Sequence, residues 1–232
     1  MSAAPEGRYR DLVLRGGAAS GALGALVLIV ANAAHPRPST SDVGDHEAFV
    51  RLAAESNRWF GVHVAFMFGS ILFLGGLAAL SYALREGRAA WLARLALVGA
   101  AAGTAVSLVR DSVDTAFGRV ADDWASAAGA EKETLLHVAS ALDDVDFALF
   151  AVNVFFFFGS TFLLYGLAVA VSGGYPRPLG WVAVAAALGC LVVGPLQLIT
   201  GPTVVTLFVF PAFAAVLSLW LLVMSVLLWR RT

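Results

Sequence analysis

Hydrophobic residues in this chain run on in long blocks. They do not alternate with polar ones, as on a half-buried strand, or recur as a stripe, as on a surface helix. Six blocks, near residues 17–34, 59–84, 91–109, 147–171, 179–200 and 204–229, are long enough to matter. A hydrocarbon layer of about 30 Å is crossed by about 20 helical residues at 1.5 Å each, and lipid leaves no backbone group unpaired. The blocks therefore predict an all-α fold: an integral membrane bundle of six transmembrane helices, forming a single membrane domain over 1–232.

Two intervening segments, 35–58 and 111–146, read as outer loops. The first opens on His35, Pro36, Arg37 and Pro38, and Ser39, Thr40, Ser41 and Asp42 are candidate helix caps. Phe49, Leu52 and Ala53 then recur at helical spacing among charges. In the second, Leu135, Val138, Ala139 and Leu142 lie opposite Glu131, Lys132 and Glu133. Each loop is expected to carry one short amphipathic helix, resting on the bilayer or on top of the bundle.

Small residues add a packing signal. Gly17, Ser20, Gly21, Gly24 and Ala25 place a small face on the first span, of the kind that lets helices approach closely in lipid. Segments 66–80 and 156–170 share eight of fifteen residues at an offset of ninety, which points to an internal repeat. Spans two and three would then pair with spans four and five as parallel copies, with Gly69, Gly75, Gly76, Gly159 and Gly166 as close-contact positions.

Composition agrees with a lipid environment: 59% of residues are hydrophobic, 13% are charged and mean hydropathy is +0.82. The net charge of −1 offers no basic stripe for phosphate, which argues against nucleic acid as a partner. Charge placement also gives an orientation. Arg8, Arg10, Arg15, Arg85, Arg88, Arg94, Arg177, Arg230 and Arg231 fall on one side, whereas all acids except Glu6, Asp11 and Glu86 fall on the other. By the excess of arginine, the first side is cytoplasmic and holds both termini, in a multi-pass protein of the cell membrane. Ala31, Asn32 and Ala33 also fit a signal-cleavage site, which would leave five spans and an outside N-terminus.

Chemistry concentrates near the outer ends. His35, His46, His63 and His137 share that half with Asp111, Asp114, Asp143, Asp144 and Asp146. Trp59 reads as an interfacial anchor with His63 one turn below it, and the ninety-residue offset makes Asn153 the equivalent of His63 on span four. Arg110 and Asp114 stand one turn apart and can pair along a helix. The sharpest site hypothesis is a polar pocket walled by His63, Arg110, Asp111, Asp146 and Asn153, open to a small ligand or ion. Its bland counterpart is a helix end carrying a solvated ion pair.

Histidine near carboxylate raises metal binding, yet no His-x-x-x-His, zinc-protease or calcium-loop spacing occurs. Haem would require facing axial histidines, and spans three to six contain none. Phe155, Phe156, Phe157 and Phe158 point all around a helix and suit packing better than a pigment slot. Cys190, the only cysteine, reads as a small apolar filler. Gly201, Pro202 and Thr203 make the last outer turn tight, and kinks at Pro195 and Pro211 would open space beside Gln197 and Thr206. Nucleophile-elbow, Walker and dinucleotide motifs are absent, so the sequence names no catalytic residue and no cofactor.

His35 with Pro36 after the first span, Trp59 with His63 opening the second, and the run from Gly75 to Leu80 together resemble multi-pass bacterial membrane proteins classed as domains of unknown function. That resemblance covers the first third of the chain and implies six spans but no activity. The functional expectation is binding of a small ligand, lipid or ion at the outer pocket. Two alternatives stand beside it. One is a non-catalytic partner subunit, whose glycine faces dock another membrane protein or a second copy; the other is a metal or haem redox membrane protein.

Overall fold

The computed structural model describes residues 4–232, with side chains from Gly7 onward. Among the described residues every regular element is helical. They are α1 (Ala4–Ala34), α2 (His46–Glu55), α3 (Trp59–Ala83), α4 (Ala90–Ser126) after a 3-10 turn at Gly87–Ala89, and α5 (Gly129–Asn153). A π-helical stretch (Val154–Thr161) joins α5 to α6 (Phe162–Ser172), and α7 (Arg177–Thr200) and α8 (Val204–Trp229) follow. Six helical rods are long and apolar enough to cross a membrane: α1, α3, α4, the continuous α5–α6 rod, α7 and α8. Apolar side chains such as Phe68, Val98, Val192 and Ile199 stay exposed on their flanks, as lipid-facing residues do. The chain is thus a multi-pass helical membrane protein.

The small face of α1 is spent inside the chain. Gly17 abuts Ala79 and the Gly75 carbonyl, Gly21 abuts Gly76 and Ser225, and Gly24 abuts the Leu72–Phe73 backbone. Ser20 Oγ adds a 2.8 Å hydrogen bond to the Leu72 carbonyl. With no hydrophobic drive between helices in lipid, this close approach supplies the dispersion contact that holds α1 to α3. The glycines of the two similar segments are close-contact positions too, but with unlike partners. Gly76 meets Gly21 of α1, whereas Gly166 meets Gly180 and Val184 of α7.

At one end Arg15 Nε donates to Thr232 Oγ1 at 2.9 Å, so the first part of α1 and the end of α8 lie together there. Trp91 and Trp181 are more than half exposed near the same end, suited to an interfacial belt.

The opposite, loop-bearing end departs from expectation. Segment 111–146 is not a loop with one surface helix: α4 runs on to Ser126, the chain turns at Ala127–Ala128, and α5 descends from Gly129. At 37 residues α4 is about 55 Å long, so roughly 25 Å of it projects beyond a hydrocarbon layer. Of the two placements expected for the apolar face, bilayer or bundle top, it takes the second and packs against its neighbours. Leu135, Ala139 and Leu142 of α5 join Phe117, Ala121 and Trp124 of α4, with Val50 and Ala53 of α2 closing the cluster. Asp45, and not the preceding Ser39–Asp42 run, caps α2 by accepting from the Ala48 amide. Trp59 is likewise no interfacial anchor: it is 1% exposed in this cluster, and its Nε1 donates to the Asp114 carbonyl at 2.8 Å.

In the π-helical stretch, Phe157 fills the space that Gly103 leaves on α4, while Phe156 faces outward. The last turn is tight as expected. Gly201 takes a φ of +70°, open to glycine, and Thr203 and Thr206 close a reciprocal cap on α8.

Candidate functional site

The site begins where the apolar run of α4 ends. Arg110 is the first charge after the block, and its guanidinium remains among helices because acids on two elements reach it. Nε donates to Asp146 of α5 at 3.0 and 3.3 Å, and Nη2 donates to Asp114, one turn along α4, at 3.0 Å. Asp111 stands 4.0 Å from Nη1, beyond hydrogen-bond range. The guanidinium plane also lies 4.6 Å from the Phe150 ring, a cation–π distance.

Asp114 connects this pair to α3. Its Oδ2 lies 3.2 Å from His63 Nε2. The other ring nitrogen, Nδ1, is 2.7 Å from the Trp59 carbonyl, which can only accept, so Nδ1 carries hydrogen. His35, just past α1, stands 3.4 Å from His63 Nε2, and its own Nδ1 donates to the Pro36 carbonyl at 2.6 Å. Burial holds the His35 ring down at about 4, with His63 and Arg110 pushing the same way and Asp114 opposing. A neutral His35 can accept at Nε2 from His63. The result is one chain of contacts from His35 through His63, Asp114 and Arg110 to Asp146, tying the end of α1 to α3, α4 and α5.

Toward the bundle interior, Asn153 Nδ2 donates to Ser107 Oγ at 2.8 Å. Ser107 Oγ spends its own hydrogen on the Gly103 carbonyl at 3.0 Å, which fixes the amide orientation and leaves Asn153 Oδ1 as an acceptor. Oδ1 has no partner, although Asn153 is only 5% exposed. Toward the mouth, His46 of α2 pairs with Asp143 Oδ2 at 3.0 Å, and Asp143 Oδ1 is buried without a partner. Buried acceptors of this kind are costly unless something donates to them.

These groups wall a cavity of about 190 Å³. One side is polar, from Ser107, Arg110 and Asp111 of α4 and Asp143, Asp146 and Asn153 of α5. The other is apolar, from Leu28 and Ile29 of α1 and the face of α8 from Leu207 to Ser218, about 16 Å along its axis. The two helices behind the apolar wall meet at the other end of the bundle, where Gly21 lies against Ser225. The connection 35–45 forms the rim.

Four of the five residues expected to form a pocket, Arg110, Asp111, Asp146 and Asn153, line this cavity together. His63 does not; it is fully buried behind His35 and Asp114. The connection from Arg110 to His63 runs through Asp114 and ends on His35, and both of these line the cavity. The Arg110–Asp114 spacing signals half of it, whereas His35 needed the fold, because the 35–45 connection folds back over α3. His137 is exposed and takes no part. Among the described residues, no three His, Cys, Asp or Glu side chains are grouped as a metal ion would require.

Fold and site together define a multi-pass helical membrane protein whose bundle holds a half-polar, half-apolar cavity at one end. The chain belongs to the family described as Domain of unknown function (DUF4386), whose model matches residues 17–225, from the small face of α1 almost to the end of α8. No curated protein and no solved structure matches it.

Proposed function

We propose that this protein binds a small molecule in the cavity at the loop-bearing end, and that this end faces outward from the cell membrane with both termini in the cytoplasm. One observation carries the binding reading: a 190 Å³ cavity whose polar wall includes Asn153 and Asp143, each with a buried side-chain oxygen that no protein group satisfies. A cavity meant only to be filled by packing would be lined by apolar groups, because an unmet acceptor costs about 1–3 kcal/mol. The arginines clustered near the termini support the orientation.

Screening the purified full-length protein by thermal shift against lipids and polar metabolites tests the binding reading. At least one compound should raise the unfolding midpoint, and Asn153→Leu should remove that rise. A flat response across the panel overturns the reading. Protease cleavage of an appended C-terminal tag in intact cells would overturn the orientation.

A further inference from the structure

The charge around the cavity is lopsided. Six carboxylates line it, against two arginines and a neutral His35. Both arginines are already engaged: Arg110 with Asp114 and Asp146, and Arg37 with Asn32, whose carbonyl and side-chain oxygen accept from Nη2 at 2.6 and 3.2 Å. Arg110, the arginine on the inner wall, is thus matched by two carboxylates, and Arg37 stands exposed at the rim. Uncommitted acceptors do remain. Asp111 has only Arg110 at 4.0 Å, and Asn153 Oδ1 has nothing.

These two acceptors stand close in height. Asn153 bonds to Ser107, and Asp111 lies one helical turn above Ser107 on the same helix, about 6 Å along the axis. Beneath them the wall becomes apolar, with Phe157, Phe210, Ala214 and Leu28 around it and Ser218 at its foot. Resting on the binding reading above, we infer that the ligand is a small amphiphilic primary ammonium, an amine on a short alkyl or aryl tail. Its head donates to Asp111 and Asn153 Oδ1, and its tail descends between α1 and α8.

Each part of that class follows from the wall. A carboxylate beside a fixed amide oxygen calls for a cation that carries N–H donors, which a quaternary ammonium lacks. Size sets the tail: a dry cavity of about 150 Å³ accommodates benzene, so about 190 Å³ takes one ring and a two- or three-atom linker. Phe150, Phe158 and Phe210 already pack edge to face, with centroids 4.9 and 5.1 Å apart, and offer further ring edges to an aryl tail. Asp143, with its unpartnered Oδ1, stands ten residues above Asn153 on α5, toward the mouth, where it attracts a cation on entry.

Calorimetry on the full-length protein in an uncharged detergent tests this with three probes of one shape: phenethylammonium, 2-phenylethanol and 3-phenylpropanoate. The ammonium should bind at least about tenfold tighter than the alcohol, as a charged hydrogen-bond pair implies, and the carboxylate should not bind. Asp111→Asn should bring the ammonium down to the alcohol's affinity, and circular dichroism in the same detergent reports that the variant is folded. Should that variant not fold, Asn153→Leu serves the same comparison. Ala214→Phe, which fills the tail region, should abolish both ligands. Equal binding of alcohol and ammonium overturns the ammonium class and leaves the cavity-binding reading standing. Binding of none of the three also overturns it, and the wider thermal-shift panel then decides the binding reading separately.

Discussion

His63 Nε2 stands 3.2 Å from Asp114 Oδ2, with the two side chains 0% and 5% exposed. This contact makes the polar cluster part of the scaffold. Asp114 lies against His63 on α3 and accepts from Arg110 on its own helix, and Arg110 reaches Asp146 on α5. The wall of the cavity is therefore held at a fixed spacing by charged groups that brace one another, whereas the Asp111 carboxylate and Asn153 Oδ1 make no hydrogen bond within the described residues.

Removing the shared acceptor should be expensive. Asp114→Ala strands the Arg110 guanidinium with one carboxylate and removes the carboxylate that lies against His63 Nε2. Breaking a buried pair from one side costs about 3–5 kcal/mol. Denaturant unfolding in mixed micelles should show a large fall in midpoint; an unchanged midpoint would mean that the cluster does not brace the fold.

Acid should weaken the protein through His35. Its folded-state value of about 4 lies below the ordinary 6.5, so between these limits the unfolded chain binds a proton that the folded one refuses. This contribution is whole above about pH 6.5 and is lost as pH falls toward 4. The groups facing the ring are His63, Arg110 and Asp114. The carboxylates add acid dependence of their own, so the informative quantity is the difference between wild type and His35→Phe across that window. The variant should lose stability less steeply, and parallel curves would refute the assignment.

The α1–α3 seam should tolerate no side chain at Gly21. A Cβ there would lie 2.8 Å from Gly76 Cα and 2.6 Å from Ser225 Oγ. Gly21→Leu is expected to cost about 1–3 kcal/mol by overpacking, or to part α1 from the bundle. Gly16→Ala is the control, since nothing lies within 4 Å of its Cβ. Thermal unfolding of the two variants in the same detergent should separate them clearly.

Gln197 offers a gain. It is 2% exposed on α7, and neither atom of its amide has a partner in the protein. Gln197→Met keeps the length and removes the unmet donor and acceptor, so the unfolding midpoint should rise, by an amount corresponding to about 1–3 kcal/mol at most. A fall would show that the amide is satisfied by a group outside this chain.

The sequence by itself determined the six spans, because a block of some twenty apolar residues has one stable form in lipid, and that constraint is local. It likewise determined the small face of α1, the tight turn at Gly201 and the gathering of Arg110, Asp111, Asp146 and Asn153 at one end, since span direction alone sets which ends are neighbours. Tertiary structure decided the rest. The amphipathic pattern around Leu135 and Ala139 reads the same whether the face meets lipid or another helix, and only the fold supplied α2 and the far end of α4 to cover it. Trp59 and His63 carry the signature of an interfacial pair, yet the extended hairpin of α4 and α5 buries both. His35 joined the site because the 35–45 connection folds back over α3. Two acceptors, Asn153 Oδ1 and Asp143 Oδ1, became informative only in three dimensions, since whether a polar atom lacks a partner depends on every chain segment that could have reached it.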